Sequence, residues 1–407
     1  MTQIVGDGME HVRALAAVGK RPTGFAGEAR AAEYLCGRLR QWGLANVAVE
    51  EFPARSWDFD TCRVHADGLG ELAALPVEFS GATGVEGVAG ELLVVEDSAS
   101  VDPFTIRGRV VLTLGQVPAG SLLLDGGAVG LIVADPARPR PWHLIYGPRQ
   151  PLAGRLPMVT LGFGDAVELV RHRVARVRLQ VATTIADVTG RNVVATLAGS
   201  GSRRLSVSAH YDSVPSGPAA ADNATGTACA LEVVRALAQA PPGPPVDVVL
   251  FSGEEIGLYG AAAYAERHAA ALARTGLGVY FDGQGDFLGR SQVHVLGQAG
   301  LADEVRRQLA EIGYRAQVHH HFTGLDQACL SAQGAPTLWF QRGPQLTWHT
   351  PADTVDEVSP LALRDAVAAA VHLVRHAAAH PDAYPPGIPA DQAQRLQEYL
   401  QSGPPCW

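Results

Sequence analysis

The chain has 407 residues, 47% of them hydrophobic and 18% charged, which is material for two or three domains with a large buried core. Its net charge of −9 and the lack of any basic stripe exclude general nucleic-acid binding. No apolar run reaches the length of a membrane span, and the opening M-T-Q-I-V-G-D-G-M-E-H does not read as a signal peptide, so the expected compartment is the cytoplasm.

The first predicted element is a helix over 27–43, where Ala31, Tyr34, Leu35, Leu39 and Trp42 share one face and Gly43 ends the pattern. A strand at 47–52 follows. From 60 to 186 helical periodicity nearly vanishes, and short β-type runs appear at 91–95, 109–114, 130–135, 158–162 and 177–181. From 187 onward strands alternate with helices. Strands are expected at 204–210, 246–251, 277–282, 291–296 and 335–340, and helices at 222–239, 257–272, 301–312 and 359–379. This alternation predicts an α/β fold with a mostly parallel central sheet flanked by helices. The expected organisation is a main domain of 1–59 and 187–380, a β-rich insert at 60–186, and a tail at 381–407 made of a Pro-rich linker and a short helix near 390–401. Five scattered cysteines, Cys36, Cys62, Cys229, Cys329 and Cys406, contain no C-x-x-C pair and suggest neither a disulfide framework nor a thiolate metal site.

Five metal-type ligands occur in the α/β part: His210, Asp222, Glu255, Asp282 and His349, with Glu254 directly before the third. His210 and Asp282 end predicted strands, and Glu254 and Glu255 follow another after a Ser-Gly turn. In open α/β sheets the carboxyl ends of strands converge on one crevice. Asp222 is expected to open the 222–239 helix, whose free N–H groups would orient its carboxylate. Adjacent side chains diverge, so one carboxylate of the Glu254–Glu255 pair can bind a metal while the other stays free as a base. Histidine and carboxylate donors without thiolate suit zinc, with manganese or cobalt as substitutes in vitro.

The strings S-A-H-Y-D-S (208–213), A-D-N-A-T-G (221–226), F-S-G-E-E-I-G-L-Y-G (251–260), V-Y-F-D-G-Q-G (279–285) and T-W-H-T-P-A-D-T (347–354) resemble the dinuclear zinc aminopeptidases, a family that includes bacterial leucine-type enzymes and relatives of plasma glutamate carboxypeptidase. R-P-T-G-F-A-G-E-A-R-A-A-E-Y-L (21–35) resembles the N-terminal helix of that family. The resemblance implies two zinc ions, one on His210 and Asp282, the other on Glu255 and His349, with Asp222 bridging. It implies Glu254 as general base and Asp212 as the residue that orients His210. It also implies a peptide substrate with a free N-terminus. The insert resembles a protease-associated domain through I-R-G-R-V-V-L (106–112), G-G-A-V-G-L-I-V-A (126–134) and L-P-M-V-T-L-G-F-G-D-A-V-E-L (156–169). Trp348 stands where many members have tyrosine, and Asp326-Gln327 where many have Asp-His.

Other residues carry plainer readings. His319-His320-His321 reads as a solvated or substrate-facing loop, and Arg342 as a surface ion pair or a partner for a substrate carboxylate. Phe287, Phe322 and Trp348 are candidates for an apolar pocket. The alternatives on the same scaffold are a glutaminyl-peptide cyclase, with one zinc, and a carboxypeptidase acting on acidic dipeptides. A non-catalytic binding protein is the alternative outside catalysis. A nucleotide site is disfavoured, because the chain has no phosphate-loop motif and a single lysine, Lys20. Oligomeric state is left open by the sequence.

Overall fold

The segment V-D-V-V-L-F forms strand Val246–Phe251 and buries both of its faces. Val248 and Leu250 point into one core with Leu231, Val234, Val367 and Leu373. Val249 and Phe251 point into another with Tyr264, Leu272 and Leu330. A strand apolar on both sides belongs in the middle of a sheet covered by helices on each face. The computed structural model describes residues 6–97, 101–320 and 324–402. His321, Phe322 and Cys406 lie outside the described residues.

The chain divides into two compact units, one formed up to Ala54 and from Val188 onward, the other by Arg55–Asp187. In the first, the strand order is Gln317–His320, Arg290–Leu296, Thr337–Gly343, Thr275–Phe281, Arg204–His210, Val246–Phe251, then the end of Arg176–Leu197. The four central strands are mutually parallel. The flanking pairs at Val293↔Phe340 and Val248↔Ala195 are antiparallel. Helices Ala26–Gln41, Thr225–Gln239, Leu301–Glu311 and Pro360–Ala379 contribute to one core. Helices Tyr259–Arg267 and Asp326–Ala332 contribute to the other.

In the second unit, Val88–Val95, Arg109–Leu114, Gly130–Ala134 and Met158–Leu161 lie side by side in parallel. Ala74–Pro76 pairs antiparallel at one edge and the start of Arg176–Leu197 at the other. Two clusters cover the faces, one around Val110, Ile132 and Val159, the other around Val111, Leu131 and Val133.

The structure differs from the sequence expectations in several places. The runs at 47–52 and 177–181 are parts of two 22-residue strands, Ala45–Ala66 and Arg176–Leu197. The second unit also holds helices Gly120–Gly126 and Phe163–Arg171, which are too short for periodicity to reveal. The expected helix at 257–272 is two, Tyr259–Arg267 and Ala269–Leu272, parted at His268. The expected helix at 222–239 begins only at Thr225, because Asp222 and Asn223 have non-helical dihedrals. The C-terminal helix Ala390–Ser402 is part of the first unit rather than a separate tail: Leu396 is buried with Leu296 and Ala328, and the Tyr399 hydroxyl donates to the Gly324 carbonyl at 2.5 Å. Among the described residues no helix is long and apolar enough to cross a membrane.

Candidate metal centre

Register brings the candidate ligands to one edge. Phe251 pairs with His210, and Phe281 with both Ala209 and Phe340, so the parallel strands end level with one another. His210 is the last residue of its strand, and Asp282 comes immediately after Phe281. Glu254 and Glu255 follow Phe251 through a tight turn in which Gly253 has φ +83°, a left-handed value that disfavours side chains. His349 comes from the loop after Thr337–Gly343, and its own φ is +60°. A non-glycine residue held there is strained, and such strain collects where a side chain must be aimed.

The ligands form two adjoining groups. Donor atoms of His210, Asp222 and Asp282 lie within 4.8 Å of one another. His210 Nε2 stands 3.3 Å from Asp282 Oδ1 and 3.4 Å from Asp222 Oδ1. His349 Nε2 stands 3.0 Å from Glu255 Oε2 and 3.3 Å from Asp222 Oδ2. Asp222 therefore turns one carboxylate oxygen to each imidazole. Glu254, half-buried, belongs to neither group but interacts electrostatically with His210 and Asp282 of one and Glu255 of the other.

Behind them is a supporting layer. Asp212 Oδ1 approaches His210 Nδ1 at 3.5 Å, and Asp212 Oδ2 accepts from the Thr23 hydroxyl at 3.0 Å. Asp353 accepts from the Ala221 and Asp222 N–H groups at 2.6 and 2.9 Å. This replaces the expected helix N-terminus as what fixes Asp222. Asn223 donates to the Phe281 carbonyl at 3.0 Å and accepts from the Gly283 N–H at 3.2 Å, tying the Asp222 turn to both sides of Asp282. Arg21, fully buried, donates to the carbonyls of Tyr211 at 2.8 Å, Pro218 at 2.7 Å and Ala219 at 3.0 Å, among others. Trp339 Nε1 donates to the Asp282 carbonyl at 3.2 Å. Sequence reasoning assigned no role to Arg21, Asn223, Asp353 or Trp339. The first three lie inside the quoted motif strings, which was the available signal.

The electrostatics call for positive charge. Burial pushes the Glu254 carboxyl well above its usual range; His210 opposes this, and the charges of Asp282, Asp326 and Glu255 add to it. Burial and the charge of Asp222 push Glu255 up to about 7. Burial raises Asp282 as well, against the pull of His210. Burial also acts to raise Asp222, but hydrogen bonds from the two imidazoles outweigh it and hold the group below the usual carboxylate range. Burial resists protonation of His210 and His349, yet the surrounding carboxylates drive both rings well above their ordinary value. Among the described residues, the ion pairs of Asp222, Glu255 and Asp282 are all with these histidines. Arg21 adds charge at a distance while its donors go to backbone carbonyls. Two imidazoles and three carboxylates crowded together at the edge of a sheet fit divalent cations that take nitrogen and oxygen donors.

The remaining candidates fall elsewhere. Arg342 donates to the carbonyls of Asp286 at 2.7 Å and Phe287 at 3.4 Å and to Ser291 Oγ at 3.1 Å, so it braces a loop. His319 stacks on His294, and His320 Nε2 contacts the Gly297 carbonyl at 2.9 Å. Asp326 is buried and accepts from the Tyr280 hydroxyl at 3.3 Å. Trp348 packs edge-on against His349 with ring centroids 4.0 Å apart.

A carboxylate–imidazole cluster at the carboxyl edge of a parallel sheet is a place where divalent cations can be held beside a crevice. Residues 192–374 match the model of peptidase family M28. The chain is 29% identical over 261 residues to the probable lipoprotein aminopeptidase LpqL of Mycobacterium tuberculosis, covering 61% of this chain and 51% of that protein. It thus spans about half the length of that curated relative. Its fold is similar to a peptidase M28 precursor from Shewanella amazonensis, with TM-score 0.80 and 21% identity over 91% of this chain and 92% of that one. It is also similar to BSAP, a zinc aminopeptidase from Bacillus subtilis, with TM-score 0.74 and 20% identity over 93% and 96%.

Proposed function

We propose that the chain is a zinc-dependent aminopeptidase that removes N-terminal residues from peptides. The observation that carries this reading is Asp222, whose two oxygens face different imidazoles, each ring with a further carboxylate of its own. His210 and Asp282 would hold one zinc, Glu255 and His349 a second, and Asp222 both. When bound, the metal pair supplies Lewis acidity toward the scissile carbonyl and activates water. Glu254 takes the proton from the attacking water and delivers it to the leaving amine. Standing directly before Glu255 and outside both ligand groups, its carboxylate is left free for both halves of that task. Asp212 fixes the ring of His210 so that Nε2 faces the cluster. The Arg55–Asp187 unit is proposed as a protease-associated-type module, on the strength of its short parallel strands and the strings that run through them.

The site gathers Asp222, Glu254, Glu255 and Asp282, which attract an α-ammonium. A carboxypeptidase would need a free cation for the substrate carboxylate, and Arg342 is committed to its own loop. Peptides with a free N-terminus are therefore expected to be shortened from that end, and N-acetylated peptides to resist. Product analysis by mass spectrometry on matched free and acetylated peptides tests this, and release of C-terminal residues would refute it.

A further expectation concerns Asp353. Asp353→Asn keeps one acceptor but turns an NH2 group toward a backbone N–H, so the Asp222 turn loses a hydrogen bond. Zinc affinity should fall about 10–100-fold, as is typical for groups that orient ligands. Competition with a chromogenic chelator measures it, and unchanged affinity would remove Asp353 from the supporting layer.

A further inference from the structure

Two loops leave the carboxyl edge of neighbouring parallel strands. One runs from Asp282 to Gly289, between Thr275–Phe281 and Arg290–Leu296, and the other from Pro344 to His349, after Thr337–Gly343. Each carries a residue of the metal-type cluster, Asp282 or His349. Hydrogen bonds join the loops closely. The Gln345 N–H donates to Asp286 Oδ2 at 2.6 Å, and Gln345 Nε2 to the Gly283 carbonyl at 2.6 Å. The Arg342 N–H donates to the Gly283 carbonyl at 2.8 Å. Gln345 is held at φ +53°, a left-handed value that persists in a non-glycine residue only where its surroundings enforce it.

On this braced platform stand Phe287, 62% exposed, Leu288, 92% exposed, and Leu346, 77% exposed. They are the three most exposed large apolar side chains among the described residues of their unit; the next, Leu361, is 55% exposed. Scattered single apolar residues on a surface need no explanation, but these three stand on two mutually bonded loops that also carry Asp282 and His349. Three side chains fall well short of the roughly 800 Å² per partner that a stable dimer buries. A chain of net charge −9 is not drawn to an anionic membrane surface. What the patch does have is direct chain continuity with Asp282 and His349.

We propose that Phe287, Leu288 and Leu346 receive apolar side chains of the peptide beyond the scissile bond, so that the preferred substrates carry apolar residues at their second and third positions. This rests on the aminopeptidase reading above. A leucine entering such a wall is expected to raise kcat/KM by on the order of 10-fold over a serine.

The test compares the tripeptides Leu-Leu-Leu and Leu-Ser-Ser, with leucinamide as a substrate that has no residue after the cleaved bond. The enzyme should prefer Leu-Leu-Leu by about 10-fold or more in kcat/KM. The double variant Leu288→Ser, Leu346→Ser should lose that preference while its kcat/KM for leucinamide stays unchanged. Leucinamide hydrolysis with no tripeptide preference, or with a preference that the double variant keeps, overturns the assignment of the patch and leaves the aminopeptidase reading standing. No hydrolysis of any of the three substrates by the zinc-loaded wild type overturns both. Wild-type co-sedimentation with phosphatidylglycerol vesicles that the variant loses, alongside an unchanged peptide preference, overturns the patch assignment in favour of a lipid surface.

Discussion

Glu254→Gln is expected to lower kcat by about 10²–10⁴-fold while zinc content stays at the wild-type level. The substitution keeps the shape of the side chain and an acceptor oxygen but removes the site where a proton can be held. Glu254 is absent from both ligand groups, whose close contacts run among His210, Asp222, Asp282, Glu255 and His349. Losing its charge therefore leaves those contacts in place. The split between turnover and metal content is what identifies a base: a ligand variant moves both, and a merely structural residue moves stability. Steady-state kinetics on the purified variant, with metal analysis of the same sample, decides the matter. A kcat within a few-fold of wild type would assign the base to another group.

Asp222→Ala is expected to have the larger effect. It removes the carboxylate that stands 3.4 Å from one imidazole and 3.3 Å from the other, and so separates the two halves of the centre. Zinc content should fall by at least one ion per chain, and turnover by more than about 10⁴-fold, beyond the upper range for loss of a base alone. Adding zinc should not restore activity if the missing group is, as proposed, the one that serves both positions. A variant that retains full zinc content and measurable turnover would show that the halves work independently.

Much of this was legible in the sequence because the informative segments are short and local. R-L-S-V-S-A-H and V-D-V-V-L-F are strands at the residues expected, since an apolar run closed by a polar motif has few other readings. The ligands at strand ends follow from that. The Asp222 turn was misread because A-D-N-A-T-G precedes a strongly helical segment, and nothing local signals that the helix waits until Thr225. The residue that holds the turn, Asp353, is 131 positions away from Asp222, and Arg21 reaches Ala219 across 198. Both work through backbone atoms, which every residue has, so residue type alone does not reveal the partnership. Arg342 shows the reverse error: a cation near a ligand in sequence spends its donors on a loop.

The same long separations set an order of events during synthesis. Arg21 leaves the ribosome early, the segment it pins comes nearly two hundred residues later, and His349 and Asp353 later still. Until those last two emerge, Asp222 and Glu255 lack the second imidazole, and Asp222 lacks the carboxylate that shapes its turn. A nascent chain thus presents only a half-made site with weak hold on any cation. Loading with metal belongs after Asp353 has been made, when Arg21 and Asp353 have both closed on the segment that holds Asp222.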